Sequence, residues 1–205
     1  MHFNLSQEII NRSVSKHWDT AKLEWNFEYL YVSEDFQTCL CGHYPIRNIC
    51  VIRNLKNSQS TEVGNCCVNK FLGIESGNKI LDSLKRLKID LEKSMSVEVL
   101  DYLRDKKVIT NWDYEFYGDT RRKRIMSEKQ LEHRKRINQK LIDLCSGETA
   151  SAMGKILNVL SWAQDRSDFE TGFVDSLRSV CERGGKLTEK QLKSLDNIIT
   201  RFKIH

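Results

Sequence analysis

Apolar residues recur at intervals of three and four through most of the chain after residue 78, which is the spacing of one face of an α-helix. Four stripes of this kind are Ile80, Leu84, Leu87 and Leu91; Val97, Leu100 and Leu103; Ala150, Met153, Leu157 and Leu160; and Phe173, Leu177 and Val180. After Gly184-Gly185, a capping box formed by Thr188 and Gln191 precedes a fifth stripe. Its members are Leu192, Leu195, Ile198 or Ile199, and Phe202. The pattern predicts an almost continuously helical region.

The first third of the chain has a mixed pattern. Ser6 followed by Gln and Glu is typical of a helix start, and helical spacing continues through Val14, Trp18, Ala21 and Trp25. Aromatic residues at 27, 29 and 31 then alternate with other residues, which predicts a strand. Val51-Ile52, the polar stretch 54–60 and the return at 61–63 predict a hairpin, followed by a helix over 66–72.

One stretch of sequence occurs twice in similar form. S-E-K-Q-L at 127–131 resembles T-E-K-Q-L at 188–192, and the same offset of 61 aligns Trp112 with Phe173 and Ile137 with Ile198. This indicates two helix–loop–helix units built alike, of which only the first is strongly basic. The alternative is that any two capped amphipathic helices resemble each other.

Cysteines cluster between the predicted strands and the next helix. Cys39, Cys41, Cys66 and Cys67 lie within 29 residues. Cys39 and Cys41 fall in a tight glycine-containing turn, and Cys67 lies near a helix start, where the helix dipole favours a thiolate. Turn, hairpin and helix in this order are typical of a treble-clef zinc finger, and zinc takes about four N or S ligands in a tetrahedron. The alternative is a group of ordinary buried cysteines, because C-x-C is less specific than C-x-x-C.

The fourth ligand of the predicted Zn²⁺ site is open between two residues. His43 follows Cys41 by two positions and could reach the same metal, whereas Cys66 is adjacent to Cys67 and would normally point elsewhere; we therefore favour His43. The motif contains no glutamate placed as an acid or base, as in the H-x-E signature of the zinc deaminases, so we predict a structural site. The sequence also predicts buried thiols at three other positions, Cys50, Cys145 and Cys181.

Composition narrows the class of protein. The 205 residues are 40% hydrophobic and 30% charged, which suffices for a core. The apolar runs are far shorter than the ~20 residues of a membrane span, and the N-terminus does not resemble a signal peptide. An odd number of cysteines, seven, argues against a closed disulfide framework. We therefore expect a cytoplasmic protein without a membrane segment.

Positive charge is concentrated in one segment. Residues 121–140 contain nine Lys or Arg and two Glu, which gives this segment a charge of +7. Because the whole chain has a net charge of +5, the remaining residues together carry a charge of about −2. The candidate phosphate contacts are Arg121, Arg122, Lys123, Arg124, Arg134, Lys135, Arg136 and Lys140. At about 1.5 Å per helical residue these charges span ~20–30 Å, enough for several phosphates but with weak base specificity. The alternatives are a solvated basic face and a surface that docks on an acidic protein.

Motifs of common enzymes are absent. The chain contains no GxxxxGK[ST], GxSxG or HExxH, and none of its five histidines lies at a recognisable catalytic spacing. We expect no enzymatic activity.

Several longer motifs resemble those of a known group of proteins. They are W-D-T-A…E-W, T-C-L-C-G-H-Y-P-I, V-I-R-N, V-G-N-C-C-V-N-K-F-L-G, the region of Phe116-Tyr117, and R-R-K-R…S-E-K-Q-L…R-I-N-Q-K, over roughly residues 16–145. They resemble a group of small proteins of bacteria, phages and mobile elements with the pattern CxCGH…VGxxCVxxF. In that pattern the last cysteine matches Cys67 rather than Cys66. The tail G-G-K-L-T-E-K-Q-L resembles a C-terminal element of phage-associated and DNA-metabolism proteins. The resemblance implies a bacterial or mobile-element setting and supplies no catalytic residue.

These observations predict a mainly α protein with a small β-containing, treble-clef-like zinc module (an α+β arrangement). We predict an N-terminal helix and zinc module over 1–75, a helical region with the basic segment over 76–145, and a C-terminal helical hairpin over 146–205. The leading hypothesis is a zinc-stabilised nucleic-acid-binding accessory protein. The competing hypothesis is a protein–protein adaptor or regulator of a nuclease or defence complex, which would dock or form a homodimer through apolar helix faces within 149–202.

Overall fold

The computed structural model describes residues 3–72 and 76–204. The chain divides into two compact units, residues 1–81 and 82–205. The predicted boundary at 75 lies outside the described residues, and the predicted division after 145 stays a prediction.

The first unit combines a small sheet with short helices. Its elements are α1 (Phe3–Arg12), α2 (Trp18–Ala21), a 3-10 turn (Lys22–Glu24), β1 (Trp25–Gln37), β2 (Ile46–Asn54), β3 (Ser60–Gly64) and α3 (Asn65–Leu72). The sheet is antiparallel in the order β1-β2-β3, and α3 packs against it. Buried apolar residues fill the space between them: Leu30, Ile49, Ile52, Val63 and Val68. The predicted strand, hairpin and following helix are confirmed.

The helical spacing over residues 14–25 does not produce one continuous helix. Helix α1 ends at Arg12, and Trp25 lies in β1. The cause is Glu24, whose buried carboxylate accepts the backbone N–H groups of Val14 and Ser15, each at 2.8 Å, and so holds the chain in a bend. Asn54 donates to the same carboxylate at 2.8 Å and ties the bend to the sheet.

The regular elements of the second unit are helices. Its elements after α4 (Ser76–Ile89), which begins in the first unit, are α5 (Val97–Asp105), α6 (Asn111–Thr120), α7 (Glu128–Leu144), α8 (Gly147–Ala163), α9 (Gly172–Glu182) and α10 (Glu189–Phe202). Helix α8 packs on α9 and α10, and α5 packs on α6. The capping box predicted at Thr188 is confirmed, and Ser127 with Gln130 forms a second one at the start of α7. The fold is therefore mainly α with a small β-containing module, as predicted.

Among the described residues, no helix is both long enough and apolar enough to span a membrane.

Candidate metal centre and basic surface

Two of the candidate metal ligands lie in a tight turn after β1. The backbone N–H of Cys39 donates to the carbonyl of His43 at 2.9 Å, and the N–H of Gly42 donates back to the carbonyl of Cys39 at 2.8 Å. Gly42 has a φ of +87°, a conformation that residues with a side chain rarely adopt. The turn therefore needs this glycine to bring Cys39 and Cys41 onto one side of the chain.

The third candidate ligand comes from the first turn of α3. Strand β3 ends at Gly64, so Cys67 enters the same place three residues later. The Cys39 and Cys67 Sγ atoms are 3.6 Å apart, and the three buried Sγ atoms, that of Cys41 included, lie within 4.8 Å of one another. The structure thus brings Cys39, Cys41 and Cys67 together, as predicted from the sequence.

Hydrogen bonds prepare one of these thiols for ionisation. The Cys67 thiol donates a hydrogen bond to Cys39, and this bond is the main cause that lowers the pKa of Cys39 to about 5. The backbone N–H groups of Cys41 and Gly64 also donate to Cys39 and lower its pKa further. The Gly64 N–H lies 3.1 Å from Cys39 Sγ. The same bond to Cys39, together with burial, raises the pKa of Cys67. A bound cation would favour the thiolate form of both.

The spacing of the thiols suits a metal ion. Two thiolates bonded at about 2.3 Å to a tetrahedral metal lie ~3.8 Å apart, close to the 3.6 Å between Cys39 and Cys67. A disulfide would require about 2.05 Å, and the cysteines are free. Cys39, Cys41 and Cys67 could therefore hold a metal ion.

A cleft of about 420 Å³ is lined by the three cysteines and by both candidates for the fourth ligand. His43 and Cys66 are exposed, and neither places a ligand atom in the group formed by the three buried thiols. Lys70 and Asn65 line the same cleft. Cys50 is buried in β2 as predicted, burial raises its pKa to about 12, and its Sγ lies outside the group of three thiols. The choice between His43 and Cys66 therefore stays open.

The predicted basic segment divides into surface and buried residues. Arg121, Arg122, Lys123 and Arg124 occupy the connection between α6 and α7, where all but the half-buried Arg121 are exposed. Arg134 is different, because its side chain is buried, donates to the carbonyl of Thr120 and lies over the Tyr117 ring. The prediction that Arg134 contacts phosphate is therefore wrong. The sequence of a charged amphipathic helix does not show which of its arginines is buried.

Two further lysines of the segment have acidic partners. Lys135 lies 2.8 Å from Glu92, and Lys140 lies 3.6 Å from the buried carboxylate of Asp113. Arg136 is exposed on α7. Of the eight predicted phosphate contacts, residues 121–124 and Arg136 are therefore those that are neither buried nor paired with an acidic group in the part of the chain that the structure describes.

One cation near this surface was missed from the sequence. Arg86 on α4 lines a small cleft together with Arg121 and Arg122, although 35 residues separate it from Arg121. In the sequence Arg86 is one of several cations of an amphipathic helix, beside Lys85 and Lys88, and nothing in that pattern indicates which residues lie near it in the fold.

Comparison with known proteins does not assign the chain to a family. No protein-family model, curated protein or solved structure matches the chain, so the resemblance to proteins of bacteria, phages and mobile elements stays a prediction.

Proposed function

We propose that this chain is a zinc-stabilised nucleic-acid-binding accessory protein that works in a bacterial, phage or mobile-element setting. The observation that supports it best is the connection 121–124, which presents four consecutive cations without an acidic partner within 4.0 Å in the part of the chain that the structure describes. Unpaired guanidinium and ammonium groups on one loop suit the phosphate oxygens of a nucleic acid. The proposed function is binding and includes no catalytic step.

Zinc is the metal that suits the first unit best. Three buried thiols form a soft ligand set, and zinc accepts such sets with one further N or S ligand in a closed tetrahedron. The ligands come from a turn and a helix that the β2–β3 hairpin separates, so a metal there would join parts of the chain distant in sequence. The site would thus stabilise the fold rather than act on a substrate.

The basic surface should bind mainly through phosphates. Each neutralised phosphate contributes close to one unit of slope to log K against log salt for duplex DNA. Four contacts, the number in the connection 121–124, would weaken Kd roughly a hundredfold between 50 and 200 mM salt. Weak preference among base sequences is expected, since these contacts do not touch base edges.

The test is a salt series on duplex and single-stranded oligonucleotides, followed by charge reversal. Reversing Arg121, Arg122 and Arg124 to Glu together should remove most of the binding and leave helix content and zinc unchanged. The matched control reverses three exposed cations of α10, Lys190, Lys193 and Arg201, and so changes the net charge by the same amount. Equal losses in both triple variants would show binding by overall charge alone and contradict an interface at 121–124.

The competing hypothesis is a protein–protein adaptor in the same setting. The observation that favours it is the exposure of large apolar side chains on α9 and α10, with Phe173 43% and Phe202 36% exposed. An adaptor would bind no DNA or RNA at 50 mM salt and would form a stable complex with a protein partner. Absence of binding to every oligonucleotide at that salt concentration would overturn the nucleic-acid proposal in favour of the adaptor.

A further inference from the structure

A cleft of about 280 Å³ lies within the second unit, between the start of α5 and the end of α6. Its lining consists of Arg86, Ser94, Met95, Ser96, Arg121 and Arg122. Three of these six residues are arginines, and none is acidic. We propose that this cleft binds a phosphate group, which in the setting of the proposed function is a phosphate of the nucleic acid; the inference deepens that proposal and rests on it for the source of the phosphate.

The three arginines have no acidic partner within 4.0 Å among the described residues. Two acidic side chains near the cleft in sequence pair with lysines instead: Glu92 with Lys135 at 2.8 Å and Asp90 with Lys93 at 3.7 Å. Asp119 is exposed and does not line the cleft. Glu98 is exposed and does not line the cleft. Three guanidinium groups around one small space repel one another unless an anion lies between them, and arginine is suited to fork onto phosphate oxygens.

A buried polar atom in the cleft also has no partner. Ser96 occupies the N-cap position of α5, with extended backbone angles, yet its side chain makes no hydrogen bond to the helix. Its Oγ is inaccessible to solvent and has no hydrogen-bond partner among the residues that the structure describes. A buried hydroxyl without a partner is costly, and rotation about the Cα–Cβ bond of Ser96 would turn it toward a phosphate oxygen in the cleft, which would accept its proton. The N-terminus of the nine-residue helix α5 further favours negative charge at this place.

A hydrogen-bond network fixes the residues around the cleft. The Tyr117 hydroxyl accepts the N–H of Met95 at 2.9 Å and donates to Asn138 at 2.6 Å. Asn138 donates in turn to two carbonyls within 91–93, at 2.7 and 2.8 Å. Arg121 follows Tyr117 by one helical turn at the end of α6, so the same helix positions the loop and the cation. The cleft is therefore held in place before a ligand arrives, which reduces the cost of binding.

Two variants outside the basic segment test the cleft on the full chain with its metal. Arg86→Gln and Ser96→Ala should each weaken the affinity for inorganic phosphate about tenfold, because each removes one hydrogen bond to a charged group. Lys88→Gln is the matched control, since Lys88 is exposed on the same helix and does not line the cleft. The protein is titrated with inorganic phosphate at constant ionic strength, with chloride as the reference anion, and binding is followed by the chemical shifts of the backbone amides. The largest shift changes should lie in the first turn of α5.

The results separate binding in the cleft from binding at residues 121–124, and a phosphate of a nucleic acid from inorganic phosphate. Shifts that are localised to α5 with phosphate, absent with chloride and lost in Arg86→Gln support the site. A second titration with a short single-stranded oligonucleotide separates the sources: saturation by the oligonucleotide that displaces inorganic phosphate supports a nucleic-acid phosphate, whereas binding of inorganic phosphate alone overturns that source. If the oligonucleotide binds through residues 121–124 but Arg86→Gln and Ser96→Ala bind it like the native chain, the cleft is overturned and the proposed function stands.

Discussion

At the scale of single residues, the metal site makes the sharpest prediction. Replacing Cys39, Cys41 or Cys67 with Ser should abolish retention of the metal, because each supplies one of three buried ligand atoms and a hydroxyl is a far weaker ligand than a thiolate. Cys50→Ser is the control, since Cys50 is equally buried but lies outside the group of three. Elemental analysis after gel filtration measures the metal. Retention by Cys67→Ser would contradict the assigned ligand set.

The fourth ligand is a second prediction at this scale. His43→Ala should reduce zinc retention more than Cys66→Ala, as the sequence favours His43. Both residues line the cleft beside the three thiols, so either is near enough to matter. Competition with a colorimetric zinc chelator ranks the two variants. The opposite order would assign the position to Cys66, and equal retention in both would indicate that neither side chain binds the metal.

Single residues also show what the sequence could not predict. The spacing of Cys39, Cys41 and Cys67 predicts their cluster, because the turn and the helix start that carry them show in the sequence. The same sequence predicts Arg134 and Lys140 as surface cations, yet one is buried against Tyr117 and the other neighbours a buried carboxylate. Whether a charge is buried depends on helix packing, which net charge and spacing do not contain.

At the scale of elements, the N-terminus of α6 depends on one carboxylate. Asp113 accepts the N–H of Thr110 at 3.0 Å, and Thr110 accepts the N–H of Asp113 at the same distance, which forms a capping box. Burial alone would raise the pKa of Asp113, but the hydrogen bonds from Thr110 and the nearby Lys140 and His133 outweigh it and lower the pKa. The folded state therefore gains stability from the ionised carboxylate.

The corresponding prediction concerns pH. Asp113→Asn should lower the free energy of unfolding by about 1–2 kcal/mol at pH 7. Because folding lowers this pKa, the contribution is present above the unfolded value of about 3.9 and is lost as pH falls through the folded value. Urea unfolding at pH 7 and pH 3 should thus show a difference between native chain and variant that shrinks in acid. The exposed Asp119, changed to Asn, is the control on the same helix; a difference of unchanged size at pH 3 would exclude the carboxylate as its cause.

Helix existence was predictable, but the buried face of each helix was predictable only in part. Stripe residues Ile80, Leu84 and Leu87 are buried, as their spacing predicts. In α5 and α9 the first residue of the predicted stripe lies at the edge of the packed face: Val97 and Phe173 are 40% and 43% exposed, whereas the rest of the packed face is buried. Its members are Val99, Leu100 and Leu103 in α5 and Val174, Leu177 and Cys181 in α9. A stripe of three residues fits two adjacent faces of a helix almost equally well, and the partner helix decides between them.

At the scale of the whole molecule, the chain divides into a unit with the candidate metal site and a unit with the basic surface. All three clustered thiols lie within residues 39–67, inside the first unit. The first unit buries large side chains such as Trp25. A metal that joins the turn to α3 should add to the stability of this core. The second unit has its own helical core, with fully buried residues from α5 to α10 such as Leu103, Leu141 and Leu195.

Removal of the metal should therefore act unevenly along the chain. We expect about one zinc per chain in carefully purified protein, and a zinc chelator should speed amide hydrogen exchange in β1, β2, β3 and α3 while α7 to α10 keep their protection. Cys39→Ser without chelator should reproduce this pattern, and addition of zinc should restore protection in the native chain but not in the variant. Hydrogen exchange followed by mass spectrometry of peptides measures both units in one sample. Unchanged exchange throughout after complete loss of zinc would show that the metal does not stabilise the fold, whereas equal loss of protection in both units would show that they unfold as one.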